Sequence, residues 1–341
     1  MNIILRLSIL LLTIGCTSQN HKSKKESLLV LDSIIKIAEL NSVYTQNVNW
    51  NTLKKEMYSI ELKSDSINSI IAPVTYMYQK IGDTHGYLMI NNQRHAQKGI
   101  EHIIEKRKTD PKIAYQIYQR IAKKDITFKL LRNNIAYIEI PMIINNDSLI
   151  ITKIRKAICF LKAKNPNGWI IDLRTNMGGN LSPMAAGIGE LFPSLSFGGG
   201  TKDGINFNLK WKLENGNFYM NNIPMSEIPL ICNQNSKPTK IAVLTSRYTA
   251  SSGEAIASGL KGQKNIKLFG EQTIGAATTI NWYPINDKIN LCPAIDYYMS
   301  EDKTVHKDGV IPDIIIEEKL NLKDLTTSIT LNTATQWLIK K

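Results

Sequence analysis

Apolar residues recur at helical spacing throughout the first quarter of the chain. The three segments with this pattern are Ser27–Leu40, Asn51–Leu62 and Ser66–Ile81. Pro73 interrupts the third segment, and we expect it to kink or break that helix because proline lacks a backbone N–H. The pattern predicts a small helical cap over residues 27–81, and a short strand follows within Gly82–Ile90.

Farther along, short apolar strands alternate with helices, which is typical of an α/β core. Two strands are predicted around the turn pair Asn133-Asn134. Further strands are predicted at Trp169–Leu173, Ile205–Leu213, Ile241–Leu244, Cys292–Met299 and Ile311–Glu317. Helices are predicted at Leu149–Lys164, Ser182–Leu191 and Leu322–Ile339. The predicted core covers residues 82–341, with a basic helical insert at about residues 91–125 and a loop at the glycine run Gly198–Gly200.

One stretch, Lys240–Thr279, places a serine where a strand turns into a helix. Ser251 follows the strand Ile241–Leu244 and stands where the next helix begins. A hydroxyl at such a turn is exposed, and the free N–H groups beside it stabilise negative charge. The alternative is that the pair Ser251-Ser252 only caps the helix. The local pattern leaves both hypotheses open.

The composition is that of an ordinary globular protein. The 341 residues are 43% hydrophobic, which is enough for one large core or two smaller domains. The formal net charge is +13. The small basic clusters, such as Lys106–Lys108, lack the interleaved aromatic residues that stack on bases. We therefore interpret them as solvated faces and expect no nucleic-acid partner.

Residues 1–16 have the features of a bacterial export signal. Arg6 is the only charge among them, and the apolar run Leu7–Ile14 is too short to span a bilayer. Cys16 follows a small residue, which resembles the lipoprotein signal in which the cysteine is lipidated, although Thr13 stands where leucine is usual. A plain cleaved signal or an uncleaved anchor is the alternative. Residues 17–26 form a polar tether, and we expect a lipid-anchored protein that faces the periplasm or the cell surface.

Three cysteines follow the tether, so they cannot all pair. Cys159 lies in the apolar helical run AICFL and is predicted to be a buried thiol. The one bridge that the sequence then allows joins Cys232 and Cys292. No Cys-x-x-Cys spacing is present, so we expect no thiolate zinc site, and the sequence predicts no metal or cofactor.

Three motifs follow one another in the C-terminal half of the chain. They are WIIDLRTNMGGN at Trp169–Asn180, TASSGEAIASGL with FGEQTIG within Thr249–Gly275, and GVIPDIIIE at Gly309–Glu317. In sequence, order and spacing they resemble the carboxyl-terminal processing peptidases and their tricorn-type relatives. The resemblance implies a crotonase-like (ClpP/crotonase-type) α/β core, a spiral of small sheets and helices, and the activity of a serine endopeptidase.

The resemblance also assigns roles to residues within these motifs. Ser251 matches the nucleophile, and Gly179 with the backbone N–H of Ser252 matches the oxyanion hole. Asp172 and Arg174, at the end of the first strand, are expected to be structural.

The chain departs from the processing peptidases at the general base. The lysine of their Gly-Lys-Gly turn is replaced by Ala276, which cannot take a proton. The tricorn-like branch uses a histidine that follows a hydroxyl residue, and Thr84-His85 matches that pattern. A neutral imidazole, with a pKa of about 6.5, accepts a serine proton near pH 7. We therefore predict His85 as the base; the alternative is a histidine with a structural role in its turn.

The group that orients the imidazole stays open. The tricorn-like branch has a glutamate three residues before the closing Gly-Val, where this chain has His306. Glu301 or Asp302 is a possible substitute, and Thr84 and Glu254 are further candidates. Glu254 is equally well placed to interact with the helix dipole.

The motifs support more than one function. The leading hypothesis is a cell-envelope peptidase that hydrolyses a polypeptide through Ser251 and His85. The segment between His85 and the strand at Ile126 is too short for the PDZ domain of most processing peptidases. The rival hypothesis is a binding protein with an inactive peptidase core, which the lost lysine and His306 favour. An esterase or other acyl hydrolase that uses the same serine is a third, and the sequence does not indicate the oligomeric state.

Overall fold

The computed structural model describes residues 26–60, 67–96, 105, 107–120, 126–144, 148–232 and 240–340. The predicted signal, Cys16 and nearly all of the tether lie outside these ranges, as does much of the predicted insert. Within these ranges, every helix is too short or too polar to cross a bilayer.

The chain forms two compact units. The first comprises the residues up to His102 together with Ile280–Ile295, and the second comprises Ile103–Thr279 and Asp296–Lys341. The first unit therefore extends beyond the boundary predicted at residue 82. The sequence pattern missed this because the unit is completed by a segment that returns from far along the chain.

The first unit combines helices with a four-stranded sheet. Its helices are α1 (residues 26–41), α2 (Trp50–Ser59) and α3 (Ile71–Ile81). Its strands are β1 (Tyr87–Ile90), β2 (Gln93–His95), β13 (Tyr283–Asn286) and β14 (Ile289–Cys292), in the order β13-β14-β1-β2. Pro73 does not break α3, because it falls in the first turn of the helix, where a backbone N–H has no helical acceptor.

The second unit is built on two six-stranded sheets. The strands of the first sheet are β3 (Phe128–Leu131), β4 (Ile135–Glu139), β5 (Gly168–Asp172), β10 (Ile241–Thr245), β11 (Ile266–Gly270) and β16 (Ile314–Ile315). They are ordered β16-β11-β10-β5-β4-β3, and all neighbours are parallel except β3 and β4. The strands of the second sheet are β6 (Ser194–Thr201), β7 (Leu209–Glu214), β8 (Asn217–Met220), β9 (Ile223–Pro224), β12 (Thr278–Ile280) and β15 (Ala294–Met299). Their order is β12-β15-β6-β7-β8-β9.

Helices cover both faces of the parallel sheet. One face carries α5 (Ser148–Lys162), α6 (Leu181–Ile188) and α7 (Ser252–Leu260), and the other carries α8 (Ile329–Ile339). A further helix, α4 (Pro111–Arg120), packs instead against Tyr248 and Leu325. Leu338 of α8 shares one buried cluster with Ile170, whereas Ile154 of α5 and Ala255 of α7 share another with Ile171. Neighbouring strand residues thus face opposite layers, as the pleat requires. The predicted α/β class is confirmed.

The glycine run was predicted to be a loop, but it lies inside β6. The backbone of Gly199 passes so close to β7 that a methyl group there would lie 1.8 Å from the carbonyl oxygen of Leu209. A register shift between Ser196 and Gly199 marks an irregularity in this pair of strands. Glycine here permits close approach of two strands.

The cysteine predictions were wrong. Cys159 of α5 is bonded to Cys232, with their Cα atoms 5.6 Å apart, and Cys292 is a buried free thiol. The apolar run around Cys159 suggested burial. However, Ile154, Ile158 and Leu161 form the buried face of α5, and Cys159 is only half-buried at its margin.

Candidate active site

Ser251 occupies a strained position between β10 and α7. Its φ is 50° and its ψ is −117°, in a region that side chains other than glycine rarely adopt. Such a conformation costs about 1–3 kcal/mol and persists only where the surroundings hold it. Here the Ser251 N–H donates to a carboxylate oxygen of Glu254 at 2.8 Å, and the Ala250 N–H donates to the Asn176 carbonyl at 2.9 Å.

Glu254 is fully buried one turn into α7 and connects the serine turn to a neighbouring loop. Besides the Ser251 N–H, it accepts hydrogen bonds from Thr273 Oγ1 at 2.5 Å and from the Gly275 N–H at 2.9 Å. Burial outweighs these donors and raises the pKa of Glu254 to about 7. The sequence placed this glutamate one turn after the serine. The structure shows that its carboxylate binds the backbone N–H of Ser251.

A glycine loop faces the serine from the end of β5. Gly178 and Gly179 have φ values of 106° and 104°, which favour glycine. A methyl group on Gly178 would lie 2.8 Å from Ser251 Cβ, so the two residues are in close contact. Ser252 Oγ donates to the Gly179 carbonyl at 2.7 Å. Because Ser252 is the first residue of α7, no helical carbonyl is available for its N–H.

The predicted structural residues lie behind this loop. The guanidinium of Arg174 forms a buried ion pair with Asp172 at 2.6 Å and also binds Glu318 at 3.1 Å. Tyr137 donates to Asp172 at 2.8 Å. The ion pair between Asp172 and Arg174 thus fixes the end of β5, where the glycine loop starts.

Arg107 is a residue that the sequence interpretation missed. Its Nε donates to the carbonyls of Thr273 and Ile274 at 3.0 and 3.2 Å, and its guanidinium also binds the Asp308 carbonyl. The predicted solvated cluster Lys106–Lys108 therefore contains a half-buried arginine that holds the loop where the family's lysine is lost. No local feature of the cluster indicates this, since the partners lie far along the chain.

His306 and Glu301 make other contacts. His306 is buried, and its Nε2 lies 2.6 Å from Ser300 Oγ. Burial, reinforced by nearby Lys261, lowers the pKa of His306 to about 4, so its imidazole is neutral at physiological pH. Glu301 is exposed and accepts from Ser196 Oγ at 2.6 Å. Both residues belong to the turn that follows β15.

His85 belongs to the first unit, where a buried aspartate organises its turn. Asp83 Oδ1 accepts from the N–H groups of His85 and Gly86 at 3.0 and 2.7 Å, and Asp83 Oδ2 accepts from the Ala294 N–H at 2.9 Å. Thr84 and His85 are half-buried. Ser251, Ser252, Gly179 and Glu254 all lie in the second unit, so the pairing of His85 with Ser251 stays a prediction.

One grouping of possible metal ligands occurs among the residues that the structure describes. It consists of Cys159, Glu190 and Cys232. The two sulfur atoms are bonded to each other, so they are not thiolates, and Glu190 accepts from the N–H groups of Ile231 and Cys232. The grouping is therefore explained by the disulfide.

The sequence and fold both match a known peptidase family. A family model described as peptidase family S41 matches residues 134–316. The chain belongs to peptidase family S41. The matched residues include Gly179, Ser251, Ser252 and Glu254, whereas His85 precedes them.

Two curated proteins show the sequence relationship of this S41 chain. The nisin-resistance protein of Lactococcus lactis subsp. lactis is 30% identical over 189 residues, which cover 54% of this chain and 57% of that protein. A carboxyl-terminal-processing protease of Synechocystis is 24% identical over 170 residues, 49% of this chain and 35% of that protease. The chain therefore spans about half the length of the nisin-resistance protein and about a third of the length of the protease.

Solved structures share the fold of this S41 chain. A lipoprotein from Streptococcus agalactiae aligns with a TM-score of 0.65 at 22% identity, over 92% of this chain and 96% of that one. The photosystem II D1 C-terminal processing protease aligns with a TM-score of 0.54 at 14% identity, over 88% and 95% of the two chains. These likenesses support the predicted peptidase-type α/β fold.

Proposed function

We propose that this S41 chain is a serine endopeptidase of the bacterial cell envelope. The observation that carries the proposal is the backbone of Ser251, which is held at positive φ against Gly178. Ser251 and Glu254 do form a capping box, in which each side chain accepts from the backbone N–H of the other residue. An ordinary helix-capping serine has β-region φ and ψ, so capping alone does not account for the positive φ. Strain of this kind is typical of active sites.

The proposed reaction is acyl transfer from the peptide amine to water. Ser251 Oγ forms a bond to the substrate carbonyl carbon while its proton passes to His85. The N–H groups of Gly179 and Ser252 stabilise the oxyanion, and one such donor contributes about 2.7–4 kcal/mol in comparable enzymes. His85 then gives the proton to the leaving amine, and water releases the acyl group by the same steps.

The surroundings of each group support this assignment. Ser252 Oγ holds the Gly179 carbonyl, which orients the peptide units of the glycine loop. Asp83 holds the backbone of the His85 turn, so the imidazole is carried by an anchored segment. Thr84, Glu301 and His306 stay candidates for orienting the imidazole, although Glu301 and His306 have other partners.

The direct test compares Ser251→Ala and His85→Ala with matched variants. We expect both to lose cleavage of casein and of a peptide library, and to lose labelling by a fluorophosphonate probe. Ser258→Ala is the control for the serine, because Ser258 is buried in the same helix and its Oγ is unpaired among the described residues. His95→Ala is the control for the histidine. Unchanged cleavage by Ser251→Ala would remove the nucleophile assignment.

The same assay separates the alternatives. A folded wild-type protein that is neither labelled nor active favours a binding protein with an inactive core. Labelling together with hydrolysis of simple esters but not of peptides favours an esterase. Nisin belongs in the peptide panel, because a relative that shares 30% identity is a nisin-resistance protein.

We also propose that the protein is exported and anchored through Cys16. The signal-like N-terminus motivates this proposal, and the Cys159–Cys232 disulfide supports it because disulfides persist in oxidising compartments outside the cytosol.

A further inference from the structure

Arg107 is a half-buried cation near the candidate site, and it precedes the residues 134–316 that match the family model. The proposed reaction does not use it. Its Nε donates to the carbonyls of Thr273 and Ile274 at 3.0 and 3.2 Å, and its guanidinium also binds the Asp308 carbonyl. Carbonyl oxygens from two separate loops thus converge on one side chain, and they lose this shared donor if the guanidinium is removed.

The loop Thr273–Gly275 joins Arg107 to the turn that carries the serine. Its middle residue donates its backbone N–H to the Thr249 carbonyl at 3.0 Å. Its first and last residues donate to Oε1 of Glu254 at 2.5 and 2.9 Å. The other oxygen of that carboxylate, Oε2, accepts from the Ser251 N–H at 2.8 Å. Arg107 on one side and Glu254 on the other therefore hold this loop in place.

The segment that carries Arg107 is itself attached to the chain just before Ser251. The Arg107 carbonyl accepts from Arg247 Nη1 at 3.3 Å, and the Asp110 N–H donates to the Tyr248 hydroxyl at 3.0 Å. Both Arg247 and Tyr248 lie between the end of β10 and the serine. The guanidinium is thus presented to the loop by a backbone that is fixed to the same turn.

We propose that Arg107 is a positioning residue that sets the reactivity of Ser251 through the loop Thr273–Gly275 and the Glu254 carboxylate. The inference rests on the proposed function of Ser251. The carboxylate binds the N–H of a serine at positive φ, and the loop that Arg107 holds supplies two of the donors to that carboxylate. Without the guanidinium the loop moves, the carboxylate moves with it, and the strained turn relaxes. The hydroxyl then loses its alignment for attack.

This link can be tested without any activity measurement. In Arg107→Ala we expect faster amide hydrogen exchange in the peptides that contain Gly275 and Ser251, because both N–H groups bind the Glu254 carboxylate. Peptides of β4 should exchange as in the wild type. Lys108→Ala is the matched control, since it removes the adjacent positive charge from an exposed side chain, and it should change none of these rates. Unchanged exchange of the Ser251 peptide in Arg107→Ala would overturn the inference.

The effect on the reaction is tested by kinetics and by chemical rescue. Arg107→Ala should lower kcat and the rate of fluorophosphonate labelling about 10- to 100-fold, the effect of losing charge-assisted hydrogen bonds, with KM changed much less. Arg107→Lys keeps the charge but lacks the planar fork of donors, so it should recover part of the loss. Guanidinium chloride at millimolar concentration should restore part of the labelling rate of Arg107→Ala, whereas sodium chloride or urea at the same concentration should not.

The outcomes distinguish the two proposals. Wild-type kcat and labelling in Arg107→Ala, or a loss that Lys108→Ala matches, overturns the role of Arg107 and leaves the proposed function in place. A loss that neither guanidinium nor Arg107→Lys relieves is a general defect of the fold and also overturns that role. A wild-type protein that is never labelled overturns the proposed function and the role of Arg107 with it.

Discussion

Glu254 is the residue on which the candidate site most depends after the serine. One buried carboxylate accepts hydrogen bonds from Ser251 on the nucleophile turn and from Gly275 on the neighbouring loop. Removing it would leave both backbone donors unpaired. Because burial raises its pKa to about 7, its ionisation also links the stability of the site to pH.

The sign of that linkage gives a prediction for Glu254→Gln. Below the usual pKa of 4.5 the glutamate is protonated in both states. Between pH 4.5 and about 7 the unfolded chain releases the proton while the folded protein keeps it, so the free energy of unfolding of the wild type falls as pH rises. The fall is on the order of 3 kcal/mol.

Glu254→Gln should remove this part of the pH dependence, which urea unfolding measured from pH 4.5 to 8 would detect. Exposed Glu227→Gln is the control and should retain it. A wild-type stability that rises through this range, with no difference from Glu254→Gln, would contradict the assignment.

At the scale of elements, α5 is joined to the segment at residues 228–232 in two ways. Arg155 of α5 donates to the carbonyls of Ile228 and Pro229 at 2.6 and 2.8 Å, and the disulfide joins Cys159 to Cys232. The first connection is a buried hydrogen-bond network and the second is covalent. Because both secure the same segment, the covalent bond is expected to contribute stability rather than to define the fold.

The double variant Cys159→Ser/Cys232→Ser should therefore fold but lose stability. The bond joins residues 73 apart, and the chain-entropy model gives a contribution of about 4 kcal/mol, of which engineered systems often show less. We expect a loss of about 2–4 kcal/mol in denaturant unfolding. Dithiothreitol should lower the melting temperature of the wild type and leave that of the double variant unchanged. A shift of equal size in both proteins would contradict the prediction.

At the scale of the whole molecule, the chain is basic, and its folded part follows a segment predicted to be a polar tether. The net charge is +13, and the predicted lipid would hold this charge near a membrane surface that is rich in anionic lipid. Lipid and charge would then both favour the membrane surface.

Cys16→Ser tests the anchor. We expect it to abolish incorporation of radiolabelled fatty acid and to move the protein from the membrane to the soluble fraction. Cys292→Ser, which changes a buried thiol, should leave the labelling intact. Membrane sedimentation of Cys16→Ser at high salt would instead support an uncleaved anchor.

The parts of the fold and of the site that depend on neighbouring residues in the chain were predicted from the sequence. The strand–turn–helix around Ser251 and the glycine loop at Gly179 are local, and the structure has both. The contacts of Arg107 were missed because its partners lie far away in the chain. Disulfide pairing failed for the same reason, since which helix face carries Cys159 depends on packing that no local window contains.

The backbone conformation of Ser251 suits the proposed reaction but lowers the stability of the fold. Glycine adopts a φ of 50° freely, so at this position the most stable residue is one without a hydroxyl. Selection of variants for heat resistance alone would drive residue 251 towards glycine and produce a sturdier protein that has no nucleophile. Engineering for stability should therefore leave this turn untouched and seek its gains elsewhere.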